Sequence, residues 1–277
     1  MIYAKKTFGQ NFLKDRVALE KIIVAGDIQQ DEHVLEIGPG RGALTKFLLG
    51  AGAIVHAVEI DPDMIAVLEE VFSEEIKNNR LIIHQADILE TEVTEFGLSA
   101  GNYKVIANIP YYITGLILRK FLESDTQPNH MVLLVQKEVA ERIVDGQEGG
   151  KKKKDSRKQA KENILSLSVK VYGDVRYVTT VGAKSFSPAP KVSSAVIEIS
   201  NISQVKLQEA GITGSEFFKL VKQGFSQKRK TLVNNLKNGG HEAQEIIAVL
   251  EDLGLDARVR AEVLTLEQWL LLAKNFK

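Results

Sequence analysis

An open α/β sheet with right-handed crossovers, followed by a small all-helical domain, is the fold class this sequence predicts, on three observations. Short Val- and Ile-rich runs alternate with amphipathic stretches through the first half of the chain. A glycine-rich loop directly follows the first of those runs. From about residue 202 onward only helical signals remain.

Taken in order, Val17, Ala18, Ile22 and Ile23 recur at helical spacing between Asp15, an available N-cap, and Gly26. The runs His33–Ile37, Ile54–Ile60, Leu81–His84, Lys104–Ala107 and Met131–Val135 are continuous and apolar, the pattern of parallel strands buried on both faces. Helices are predicted between them at Ala43–Leu49, at Pro62–Phe72 with Asp61 as N-cap, and at Gly115–Leu122 with Thr114 as cap. The pattern breaks after Glu138–Val144 into DGQEGGKKKKDSRKQAKEN, which has almost no apolar residues and reads as an exposed, mobile insertion over 146–163. Val175–Val181 and Ser194–Ile199 then predict an antiparallel pair that closes the sheet, while Ile164–Tyr172 fits helix or strand equally. Ser215–Gly224, Lys228–Leu236, Glu242–Leu253 and Leu266–Phe276 predict the helical domain, so the expected division is 1–201 and 202–277.

Composition narrows the function classes. With 44% hydrophobic and 26% charged residues the chain is neither collagenous nor disordered, and 277 residues allow a domain of about 200 with an appendage. No apolar run approaches the roughly 18 residues that span a bilayer, and the N-terminus lacks a secretory apolar region, so a cytoplasmic protein is expected. The absence of cysteine removes disulfides, thiolate metal sites and thiol nucleophiles, and five scattered His argue against a His-rich centre; no metal is expected. The zero net charge conceals an asymmetry: residues 1–145 carry 14 Lys+Arg against 22 Asp+Glu, residues 146–200 carry 11 against 5, and residues 201–277 carry 11 against 9. An acidic half with a basic remainder suits an enzyme that holds a small molecule in one part and a polyanion with the other.

The chemistry-bearing residues fall at successive strand ends. VLEIGPGRGALT places Glu36 at the end of a strand, then Gly38, Gly40 and Gly42, then a helix whose N-terminus offers free amide donors. Its spacing differs from the G-x-G-x-x-G of dinucleotide-binding loops and resembles the S-adenosylmethionine loop of Rossmann-like methyltransferases. Glu59, 21 residues after Gly38, is placed to accept from two ribose hydroxyls, and Asp87 in ADIL to accept from an adenine amine. The fourth strand ends in NIPYY, Asn108 to Tyr112. An aromatic amine is a poor nucleophile because its lone pair is delocalised into the ring. The Asn108 side-chain oxygen and a backbone carbonyl of Ile109 or Pro110 can together bind the two amine hydrogens and favour a pyramidal nitrogen. Pro110 stiffens the turn and Tyr111 offers a ring for an extruded base.

These motifs, together with FGQNFL (Phe8 to Leu13), FSPAPKVSSAV (Phe186 to Val196), FSQKRKTLVNNL (Phe225 to Leu236) and VRAEVLTLEQW (Val259 to Trp269), resemble the ribosomal RNA adenine dimethyltransferases, most closely the KsgA-type enzymes of the small (16S) subunit. The resemblance runs essentially end to end. It implies a Rossmann-like methyltransferase sheet with a helical RNA-recognition domain, S-adenosyl-L-methionine as cofactor, and dimethylation of the 6-amino groups of two adjacent adenines in an rRNA hairpin loop. It implies cofactor contacts at Asn11, Leu13, Gly38, Glu59, Asp87 and Asn108, and a target base held by Asn108, Tyr111 and Phe186, the two rings sandwiching it. Lys228, Arg229 and Lys230 become candidates for phosphate contact, on a predicted helix, ahead of Lys151 to Lys154 in the insertion, where the family usually has a shorter connection. A monomer working on a ribosomal precursor particle is the expected assembly. The rivals are a macrolide-resistance type enzyme acting on large-subunit RNA, a non-catalytic RNA-binding assembly factor, and a nucleotide-dependent oxidoreductase, whose fingerprint spacing is missing.

Overall fold

The computed structural model describes residues 11–144 and 161–277. In chain order its elements are β1 (Phe12–Leu13), α1 (Arg16–Gly26), β2 (His33–Ile37), α2 (Ala43–Gly50), β3 (Ile54–Glu59), α3 (Pro62–Val71), α4 (Ser73–Lys77), β4 (Leu81–Gln85), β5 (Tyr103–Asn108), α5 (Thr114–Leu122), β6 (His130–Gln136), α6 (Lys137–Ile143), α7 (Ile164–Lys170), β7 (Asp174–Val181), β8 (Phe186–Ser187), β9 (Ser194–Ser200), α8 (Val205–Ala210), α9 (Gly214–Gly224), α10 (Leu232–Asn238), α11 (Ala243–Asp252) and α12 (Leu266–Asn275).

Seven strands form one sheet in the order β4-β3-β2-β5-β6-β9-β7. The pairs from β4 to β6 are parallel, and β9 runs antiparallel to both β6 and β7. The strand order reverses between β2 and β5, and the loops leaving the carboxyl ends there converge on one crevice, where ligands bind in open α/β sheets. The continuous apolar runs have the expected outcome: Val34, Leu35, Val55, Ala57, Val105, Ile106, Val132 and Leu133 are all buried. One polar chain crosses the sheet. His33 Nδ1 lies 2.9 Å from His56 Nε2, and His56 Nδ1 lies 3.3 Å from His84 Nε2. Burial, reinforced by its two neighbours, pushes the pKa of His56 down to about 4, so it is neutral near pH 7.

Local chemistry explains the helix starts. Asp15 Oδ1 accepts the N–H groups of Val17 and Ala18, and Asp61 caps α3 with Pro62 in the first turn. Thr114, expected as a cap, is instead the first residue of α5. A 3-10 turn over Tyr111–Ile113 runs straight into that helix, and the Thr114 hydroxyl donates back to the Tyr111 carbonyl at 3.1 Å. The ambiguous stretch resolves as helix α7, capped by Asn163, whose side chain accepts from Leu165 and Ser166.

By contacts the chain divides into two units, and the division is not the single cut at 201/202 that the sequence predicts. Residues 174–202 stay with the sheet, whereas described residues 161–173 group with 203–277. The reason is that α7 packs against α9, Tyr172 meets the Phe218 ring at 6.2 Å, and Lys206 donates to the Lys170 carbonyl at 2.7 Å. Within the helical unit Phe217, Val221, Leu232, Leu236, Ile246, Leu250 and Trp269 are fully buried. The helix expected over Lys228–Leu236 starts later, at Leu232, because Thr231 caps it and accepts the Asn234 N–H. Lys228, Arg229 and Lys230 therefore sit, exposed, on the preceding turn. Lys151 to Lys154 lie outside the described residues, as do Phe8 to Gln10 of FGQNFL.

Candidate active site

The cavity over the switch point has a volume of about 350 Å³, the scale of one enclosed drug-sized ligand. Asn11 and Leu13 enter it from the N-terminal segment, Gly38 from the loop after β2, Glu59 from the end of β3, Asp87 from the loop after β4, and Asn108, Pro110 and Tyr111 from the end of β5. Every cofactor candidate named from the sequence thus lines a single space.

The glycine loop is shaped by its residues. Gly38 has φ +64°, and a Cβ there would meet nothing within 4 Å, so its backbone turns in the left-handed region beside open space that a ligand can enter. Gly42, at φ +77°, is the N-cap of α2, and a Cβ there would lie 2.3 Å from the Phe72 ring; glycine is required for the helix to approach α3. Glu59 holds the loop. One oxygen accepts the N–H groups of Ile60 (2.9 Å) and Asp61 (3.0 Å), and the other accepts Gly40 N–H at 3.2 Å. Burial raises its pKa, and those three donors partly offset the rise. Those donors take both lone-pair sites of the first oxygen and one of the second, which leaves the oxygen bound to Gly40 able to accept a further donor from the cavity. Asp87 resembles it: one oxygen accepts Leu89 N–H at 2.9 Å and leaves the other for a ligand.

Glu36 stands beneath the loop, 1% exposed, and accepts the Thr45 hydroxyl at 2.6 Å. Burial pushes its pKa up to about 8, against the Thr45 hydrogen bond and with help from the Glu59 charge, so it is largely protonated at pH 7. Its folded pKa exceeds its unfolded one. The native state therefore loses stability as pH rises from about 4.5 through 8, by on the order of 5 kcal/mol. Glu36→Gln keeps an acceptor for Thr45 and cannot ionise. Thermal melts should show this variant more stable than the parent above pH 8 and close to it at pH 5; parallel pH profiles would mean that Glu36 is already ionised in the fold.

At the end of β5 the Asn108 Nδ2 donates to the Asn11 carbonyl at 3.1 Å. A carbonyl only accepts, so this contact fixes the amide with its Oδ1 as the remaining acceptor. Pro110 follows with φ −58°, its carbonyl accepts Ile113 N–H at 3.2 Å, and the Tyr111 hydroxyl is tied to buried Ser194 at 2.6 Å. Burial raises the Tyr111 pKa, against its bond to Ser194. Phe186 departs from expectation. The short β1 and β8 pair through Leu13↔Phe186, and Phe186 is 2% exposed within the core rather than on the cavity wall. Sequence reasoning missed this two-residue pairing, which positions Asn11 for its contact with Asn108.

Glycine loop, strand-end acids and an oriented Asn-Ile-Pro-Tyr turn over the switch point define a Rossmann-like methyltransferase acting on an amino group. The ribosomal RNA adenine dimethylase family model matches residues 1–277, and the chain belongs to that family. It is 39% identical to the ribosomal RNA small subunit methyltransferase A of a Dehalococcoides mccartyi strain over 97% of this chain and 87% of that one. It is also 39% identical to the Lactobacillus johnsonii protein of the same name, over 100% and 92%. A dimethyladenosine transferase structure from Plasmodium falciparum, 28% identical, superposes with TM-score 0.73 over 94% of this chain and 95% of that one. The 23S rRNA methyltransferase ErmE, 24% identical over 96% and 99% at the same TM-score, shares the fold.

Proposed function

We propose that this chain transfers methyl groups from S-adenosyl-L-methionine to the 6-amino groups of two adjacent adenines in the 3′-terminal hairpin loop of small-subunit rRNA, acting as a monomer on a precursor particle in the cytoplasm. The observation that carries the reading is the orientation of Asn108, whose Oδ1 is left as an acceptor by the Nδ2 contact to Asn11, at the edge of a cavity lined by Gly38, Glu59 and Asp87. The names of the relatives support the small-subunit assignment over the large-subunit one.

The cofactor supplies an electrophilic methyl group on a sulfonium. Gly38 would let its chain approach the backbone, Glu59 would accept from the ribose and Asp87 from the adenine amine. At the target base, Asn108 Oδ1 takes one amine hydrogen and a carbonyl of the Ile109–Pro110 turn the other, which draws the nitrogen lone pair out of conjugation and aims it at the methyl carbon. Tyr111, held by Ser194, provides the face on which the extruded base stacks. With the methyl donor bound, the nitrogen lone pair would form the bond to the methyl group that the donor supplies. The alkylated nitrogen then sheds its proton to water, and no side chain is needed as base. Repetition gives the dimethyl product.

Incubating the protein and labelled cofactor with unmethylated small- and large-subunit particles in parallel tests the assignment: label should enter small-subunit RNA, and label confined to large-subunit RNA would reverse it.

In the helical unit, Lys228, Arg229 and Lys230 are exposed on a turn pinned from beneath by buried Asn235, whose Nδ2 donates to the carbonyls of Gly224 and Gln227. A fixed turn contacts phosphates at a low ordering cost. Replacing the three by Ala should flatten the slope of log affinity against log salt by up to about 2–3 units, and replacing Lys151 to Lys154 by less than about 1. Titrations on small-subunit particles at several salt concentrations measure both; a larger change from the tetralysine variant would move the RNA-binding face to the insertion.

A further inference from the structure

The turn that carries Asn108 and Tyr111 continues into an exposed stripe that the chemistry above leaves unused. Tyr112 is 68% exposed although it lines the mouth of the cavity, and its hydroxyl has no hydrogen-bond partner among the described residues. Leu116, in the first turn of α5, is 53% exposed, and the exposed Gly115 before it adds no side chain. A large aromatic ring held in water, with apolar support along the helix, retains its stacking energy for a partner that brings a flat face. Tyr111 next to it is the opposite case, half-buried and tied by its hydroxyl.

We infer that Tyr112 is the stacking platform for the nucleotide adjacent to the adenine being methylated. The inference rests on the proposed reaction at two neighbouring adenines. Asn108 has one side-chain acceptor left after its Nδ2 contact to Asn11, so only one adenine amine can face it at a time, and the second base, still covalently joined to the first, lies just outside. Extruding the first base strips the second of its stacking neighbour, a loss that an exposed ring at the mouth offsets. Stacking tolerates any base, because every base has a π-face. The platform therefore serves whichever adenine is outside, and keeps the strand in place while the two exchange. Continuity with the catalytic turn is what selects a nucleobase as occupant over an apolar protein segment.

The test compares Tyr112→Ala, Tyr112→Leu and Tyr112→Phe with the parent on unmethylated small-subunit particles, reading KM and kcat for methyl transfer and the number of methyl groups on each of the two adenines. Tyr112→Ala and Tyr112→Leu should raise KM for the particle about 10- to 100-fold, with the loss falling on KM rather than kcat. Both should also leave more molecules with one adenine finished and its neighbour untouched. Tyr112→Phe, which keeps the ring, should restore both readings, an outcome that a general loss of fold would not give. If Tyr112→Ala matches the parent in KM and in the distribution of methyl groups, or if Phe fails to rescue, the platform is wrong while the proposed reaction stands. If the parent itself does not methylate adjacent adenines, both fall.

Discussion

Asn108→Ala is expected to lower the rate of methyl transfer by about two to three orders of magnitude, the cost of deleting one preorganised partner of a developing charge, about 3–4 kcal/mol. The structure shows why the effect is concentrated there. Asn108 ends β5 beside the crevice, and its Nδ2 contact to the Asn11 carbonyl fixes which end of the amide faces the amine. Alanine removes the acceptor together with the Nδ2 donor to the Asn11 carbonyl. Cofactor affinity should fall less, because Gly38, Glu59 and Asp87 remain. Single-turnover transfer to small-subunit particles at saturating cofactor measures the chemical step, and a rate within a few-fold of the parent would mean that another group orients the amine.

The second large effect is on cofactor binding. Glu59→Ala should weaken S-adenosylmethionine affinity by roughly 1.5–3 kcal/mol, about 10- to 150-fold, the range for hydrogen bonds to a charged acceptor. Here the carboxylate does two things at once. It presents an acceptor to the cavity, and it binds the N–H groups of Gly40, Ile60 and Asp61, so its loss also loosens the glycine loop. Glu59→Gln keeps one acceptor but turns an amide donor toward backbone donors, and should lose an intermediate amount. Calorimetric titration with the cofactor gives the values; parent-like affinity in Glu59→Ala would remove Glu59 from the ribose site.

The parallel half of the sheet was legible from the sequence because strands buried on both faces must be continuously apolar, and the strand-end chemistry because loops there converge whatever the details of packing. What stayed hidden depends on short or non-local pairing. Two residues at Phe12–Leu13 carry no periodic signal, yet their pairing with Phe186–Ser187 brings Asn11 to Asn108 and buries the Phe186 ring that the family resemblance sets against the target base. Lys228 to Lys230 resemble a helix start because Lys and Arg are good helix formers. The Thr231 cap overrules that propensity and leaves them on a turn. The histidines look scattered in sequence, but strand register aligns His33, His56 and His84 into one hydrogen-bonded chain. The boundary at 201/202 misses the return of residues 161–173 to the helical unit, since a helix near the middle of a chain carries no mark of the core it will join.

The most direct test of the account is to digest the RNA of unmethylated small-subunit particles after incubation with the protein and S-adenosylmethionine, and to locate modified adenines by mass spectrometry. Two neighbouring N6,N6-dimethyladenines near the 3′ end, absent when Asn108→Ala replaces the parent, are the predicted result. Methylation at a single adenine, at a site other than an exocyclic amine, or persisting at the parent's rate in Asn108→Ala would contradict it.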